Sequence, residues 1–108
     1  MLVATLLAVA ALAPTVASAQ DAGVETTWRL LDYIGADYAG AVAEGRIVSE
    51  AEYAEMQEFA ASVEQRISQL PPSPETTTLT REAATLKAAI AAKAPSEEVA
   101  RHAHGLAA

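Results

Sequence analysis

Tyr53, Met56, Ala60, Val63, Ile67 and Leu70 follow one another at steps of three and four residues. That spacing puts all six on one face of an α-helix, whereas a strand would scatter them over both of its faces. Ser49-Glu-Ala-Glu52 precedes the run and matches the capping box, in which Ser49 and Glu52 each satisfy one of the other's free backbone N–H groups. Pro71 closes it by removing a donor and restricting Leu70. The result is a helix over 49–70 whose seam, nearly three heptads long, needs a facing helix. The preceding stretch supplies one. Val24, Trp28, Leu31, Tyr38 and Val42 form a second apolar stripe, with Gly35 on it and Ile34 flanking it. This helix runs from about 25 to 44, and Gly45 is its natural terminator. A glycine on a buried stripe marks the close approach of another helix backbone, which suits Gly35. Trp28 and Met56 are expected to be buried against each other's helix.

The rest of the chain extends this hairpin. Ser73-Pro74-Glu75 combines a capping hydroxyl, Pro at the first helical position and an acid in the first turn. Leu79, Ala83, Leu86 and Ile90 then carry a third helix over 74–94. Pro95-Ser96-Glu97-Glu98 repeats the stop and restart, giving a short fourth helix over 97–105. No strand pattern competes anywhere. The fold class is all-α, a small antiparallel bundle of three to four helices built on a helical hairpin, because the connections are short.

Residues 1–19 stand apart. The chain is apolar from Leu2 to Ala13, breaks at Pro14 and reaches Ala17-Ser18-Ala19 without a single charged side chain. This is the h-region and A-x-A cleavage site of a secretory signal peptide; no Lys or Arg precedes the h-region, so either the α-amino group supplies the positive charge or the start codon is misassigned. The apolar run is shorter than the roughly 20 residues of a membrane span. Residues 20–108 are then the single helical domain, starting at Gln20, and an uncleaved anchor is the alternative. That domain carries every charge, 7 Lys and Arg against 14 Asp and Glu, for a net −7. Such a chain repels phosphate backbones, so nucleic acid is excluded as a partner. Without cysteine, neither disulfides nor Cys-ligated zinc or iron–sulfur sites can form.

Chemistry is sparse. Glu52, Glu55 and Glu58 recur every three residues, so neighbours lie close on the helix surface. A Glu-x-x-Glu pair offers hard oxygen ligands to iron, calcium or magnesium. Glu52 and Glu55 are the candidate metal ligands, joined by Asp32, which borders the buried stripe of the first helix. The competing explanation is that acids near a helix N-terminus suit the macrodipole and that Glu52 is a cap. Tyr33, Asp37 and Glu44 share the outer face. His102 and His104 sit two residues apart and point in different directions, unlike a metal pair at i,i+3 or i,i+4. There is no nucleophile paired with a base, no Gly-rich phosphate loop and no haem motif, so no catalytic or cofactor-binding residue is assigned. The chain does not read as an enzyme.

The hairpin carries a family likeness. Leu30-Leu-Asp-Tyr-Ile-Gly-Ala-Asp-Tyr-Ala-Gly-Ala-Val42, then Gly45-Arg-Ile-Val-Ser-Glu-Ala-Glu-Tyr-Ala-Glu-Met56 and Phe59, resemble the N-terminal extracytoplasmic region of bacterial high-affinity iron permeases. The likeness spans about 28–70 and rests on Ala-rich helices beyond Pro74. It implies a periplasmic module, tethered to the inner membrane in some arrangements, with a permease or a cytochrome c module as partner in the same or a separate chain. Iron is the cation it implies. The Arg-Glu-x-x-Glu motif of the family's membrane part is missing, since Arg81-Glu82-Ala83-Ala84-Thr85 lacks the last Glu, and so is Cys-x-x-Cys-His. No permease site residue therefore carries over. Two functions follow: an accessory to iron uptake with a weak carboxylate cation site, or a docking bundle with no metal site.

Overall fold

The caps and proline stops set the observed helix boundaries. The computed structural model describes residues 16–108, and side chains from residue 22 onward. Its helices are α1 (Val16–Asp37), α2 (Glu50–Ser68), α3 (Pro74–Ala91) and α4 (Ser96–Ala107). Ser49 accepts from the Glu52 backbone N–H at 3.2 Å at the head of α2. Ser73 accepts from that of Thr76 at 3.0 Å at the head of α3, with Pro74 in the first turn. The fourth helix starts without a side-chain cap, directly after Pro95. Most of the apolar leader lies outside the described residues, and Ala17–Ala19 fall in the first turn of α1.

Each helix packs on two neighbours, α1 and α3 both contacting α2 and α4, which closes an up-down-up-down bundle. The centre is filled by Ile34, Tyr38, Met56, Val63, Leu86, Ile90 and Val99, all essentially inaccessible. Met56 is buried as the seam predicts. The seam of α2 is buried throughout from Tyr53 to Ile67, with Leu70 half-exposed.

The first helix departs from expectation in length and phase. It begins at Val16, not near residue 25, and ends at Asp37, not near residue 44; a 3₁₀ turn, Tyr38–Gly40, follows. Beyond it, β1 (Val42–Ala43) and β2 (Arg46–Ile47) form a two-rung antiparallel ladder, Val42 facing Ile47 and Ala43 facing Arg46, although the sequence shows no strand pattern. Glu44 and Gly45 join them with φ of 53° and 73°. Two successive positive φ values are the signature of the tight turn whose twist matches a hairpin. Gly45 thus sits at a reversal, but one that turns a hairpin instead of ending a helix. The buried line of α1 is Leu31, Ile34 and Tyr38, continued by Ala41. Ile34, expected on the flank, is at its centre. Trp28 and Val24, expected on the stripe, are 59% and 51% exposed.

Candidate functional site

An apolar recess lies beside the last turn of α4, between α1, the end of α2 and the first turns of α3. The groove has a volume of about 330 Å³. Val24, Trp28 and Leu31 of α1, Leu70, Leu79 and the terminal Leu106 of α4 give it apolar walls, with Arg66 of α2 as its cation. Trp28 lies beside the last turn of α4 and donates from Nε1 to the Ala107 carbonyl at 2.6 Å.

The candidate ligands divide between two other recesses. Glu52 and Glu55 face a shallow one of about 230 Å³ with Asp37, Gly40 and Met56. Asp32 is not there. It lines a separate recess with Glu25, Trp28, Arg29 and His104. Asp37, which the sequence places on the outer face, is the acid of α1 that joins Glu52 and Glu55; the early end of α1 beside Gly40 puts it there. Among the described residues, no group of three or more His, Cys, Asp or Glu is placed to hold a metal ion.

Only half of the expected capping box forms. The Ser49 backbone N–H points to the Ala41 carbonyl at 3.4 Å, next to Val48 N–H at 2.8 Å. The Glu52 side chain instead lies over Gly40, where an added Cβ would stand 2.6 Å from Oε2. Gly35 likewise makes room for a side chain and not for a helix backbone: its Cβ would stand 2.8 Å from Nε2 of His104.

At the opposite end from the groove, two tyrosines close the bundle. Tyr38 donates to the Ala94 carbonyl at 2.7 Å and Tyr53 to that of Ile90 at 2.8 Å, both buried. Ala94 lies in the turn after α3, and the Ile90 carbonyl, near the end of the helix, also accepts from the Lys93 backbone N–H at 3.0 Å. Burial above all, then the neighbouring Tyr53 and Glu98, pushes the Tyr38 hydroxyl above its ordinary value of 10.0.

The fold and its recesses place the chain among helical-bundle modules. Residues 13–108 match the family model of the iron permease-associated 4-helix bundle domain, and the chain belongs to that family. No curated protein and no solved structure gives a match. The four-helix architecture and the resemblance read from the hairpin agree with this family. Among the described residues, no helix is long and apolar enough to cross a membrane.

Proposed function

We propose that this chain is an exported, non-catalytic helical module that serves iron uptake from the periplasmic side by docking to an iron permease. The observation that carries the reading is the open apolar groove on a domain of this family. In a chain of net charge −7, a partly exposed Trp beside exposed Val suits a contact surface. The apolar leader ending in Ala17-Ser18-Ala19 supports export, with cleavage after Ala19. A cytochrome c module is the second candidate partner. Deletion of residues 20–108 tests the reading, whether they stand in the same chain as the permease or a separate one: cells with the permease at its normal level should take up iron more slowly, and an unchanged rate overturns the reading. Mass spectrometry of the periplasmic protein should find Gln20 at its N-terminus, and an intact Met1 would refute cleavage.

A second reading rests on the acidic recess. Glu52, Glu55 and Asp37 present hard oxygens around Gly40, and a cation passing toward the permease would meet them as cargo. Few ligands make such a contact weak. Asp32, in the other recess, would act separately if at all. Titration calorimetry with ferrous iron and calcium on the parent and on Glu55→Gln decides it. Heats lost in the variant support the contact, and identical heats leave docking alone.

A further inference from the structure

We infer that the face between α1 and α2, centred on Tyr33 and Phe59, docks an arginine-bearing segment of the partner protein. This rests on the docking reading above and adds a surface distinct from the groove, together with the charge and side-chain chemistry of what it meets.

Charge places the surface. Residues 25–66 hold nine Asp and Glu against three Arg, whereas residues 74–108 hold four acids and four bases. The net negative charge therefore sits in the α1–α2 half, while α3 and α4 balance. Pairing is uneven too. Glu25, Glu64 and Glu98 each have a basic partner, at 2.8, 3.2 and 4.0 Å. Among the described residues, Asp37, Glu52 and Glu55 enter no ion pair, although all three line one recess. Carboxylates gathered without a cation of their own are complementary to a basic partner.

Exposed aromatic surface adjoins these acids. Tyr33 and Phe59 meet across the helix pair with ring centroids 6.0 Å apart and planes tilted by 34°. Tyr33 is 49% exposed and Phe59 is half-buried. Asp37 follows Tyr33 by four residues on α1, and Glu55 precedes Phe59 by four on α2. Each acid thus stands one turn from a ring, on the side of the recess. Arg29, one turn from Tyr33 in the other direction, is held by Glu25.

Together the two features select the ligand. A metal ion needs carboxylates that converge on one point, and among the described residues no group of three or more His, Cys, Asp or Glu does so. Acids spread along a recess suit several donors in a row. Arginine meets both features at once: its planar guanidinium forks onto a carboxylate and lies flat on an aromatic ring. Lysine supplies chiefly the charge. The expected segment carries at least two Arg, with an apolar residue between them to cover Phe59.

A labelled synthetic peptide of Arg, Leu and Ala is titrated with the purified full chain and read by fluorescence anisotropy, beside the same peptide with Lys for Arg. The Arg peptide should bind more tightly, and salt should weaken both. Asp37→Asn with Glu55→Gln should weaken the Arg peptide about tenfold, as loss of two exposed charge contacts does. Tyr33→Ala should weaken it about threefold and erase the preference over Lys. Neutralising two acids of the balanced half, Glu75→Gln with Glu82→Gln, should leave affinity unchanged. Equal weakening by both double variants, or no effect of Tyr33→Ala, would mean that the peptide senses only net charge, and overturns the inference. Spermidine binding as tightly as the Arg peptide would do the same. In cells, Asp37→Lys with Glu55→Lys should slow iron uptake as deletion of residues 20–108 does. If the deletion slows uptake and the charge reversal does not, docking occurs elsewhere and this inference fails alone. If the deletion itself leaves uptake unchanged, the reading beneath falls and takes the inference with it.

Discussion

At the closed end of the bundle, Tyr38 and Tyr53 reach to carbonyls at and just past the end of α3 and are buried there. At the other end, the one aromatic residue that meets a helix terminus, Trp28, makes the same kind of bond to Ala107 yet stays more than half exposed. The chemistry of the two contacts is alike: an aromatic donor bonds a backbone carbonyl at or just past the end of a helix. What differs is the packing around them. The tyrosines are buried within the core, whereas the indole stands more than half exposed on the wall of an open recess. The two ends of one small domain thus differ in how much packing surrounds the same kind of contact.

This division can be broken most directly at the core. Met56→Ala should cost about 2–5 kcal/mol, as truncation of a fully buried side chain does, read as a lower midpoint in denaturant unfolding. A cost under half a kcal/mol would mean that Met56 is not packed as described. Next come the hydroxyls. Tyr38→Phe removes the hydroxyl bonded to the Ala94 carbonyl and should cost about 1–3 kcal/mol, whereas Tyr53→Phe should cost about 1 kcal/mol, since the Ile90 carbonyl keeps the Lys93 N–H; equal stability to the parent would show that water reaches the closed end. The raised Tyr38 hydroxyl adds a pH signature. Its folded value lies above the unfolded 10.0, so the folded state holds the proton more tightly. Stability should be independent of this group below about pH 10 and fall as pH rises through the folded value. Tyr38→Phe should flatten that fall, and an unchanged alkaline limb would assign it to another group.

Effects should shrink toward the open end. Ser73→Ala removes the cap of α3 and should cost about 1 kcal/mol. Trp28→Ala should cost about 1 kcal/mol or less, since it loses one exposed hydrogen bond and little burial. A loss as large as that of Met56→Ala would show the groove to be part of the core, and the contrast between the two ends would fall.

The helices of the C-terminal half were legible because their signals are local. Ser49 and Ser73 cap as read, Pro71 follows the end of α2, and α3 and α4 begin within a residue of the reading, although α3 ends at Ala91 and not at 94, just before Lys93 takes a φ of 54°. The first helix is less legible because tertiary contacts decide it. Spacing puts Val24 and Trp28 on one stripe with Leu31, but burial depends on what packs opposite each turn, and the buried line runs through Ile34. Gly45 suggests a helix end, whereas Tyr38 turns inward to reach Ala94 and the chain leaves the helix before Gly40. The Glu-Gly turn carries a weaker hairpin signal than Asn-Gly or Asp-Gly, and two-residue strands show no alternation. The acidic candidates were separated for the same reason. Glu52 and Glu55 share a helix face that spacing reveals, but whether Asp32 or Asp37 joins them depends on where α1 ends.

The tyrosine clamp also governs how the molecule opens. The last turn of an exposed helix ordinarily frays on its own, exchanging its amide hydrogens without help from the rest of the chain. The end of α3 is tied by hydroxyls from the end of α1 and the start of α2, and its backbone closes through Lys93 N–H to Ile90 and Ala94 N–H to Ala89, both at 3.0 Å. Opening it requires two other elements to let go at once. Its amides should therefore exchange with deuterium only when the whole domain unfolds, while those of α1 near Val24 exchange through local opening, giving one small protein two clocks.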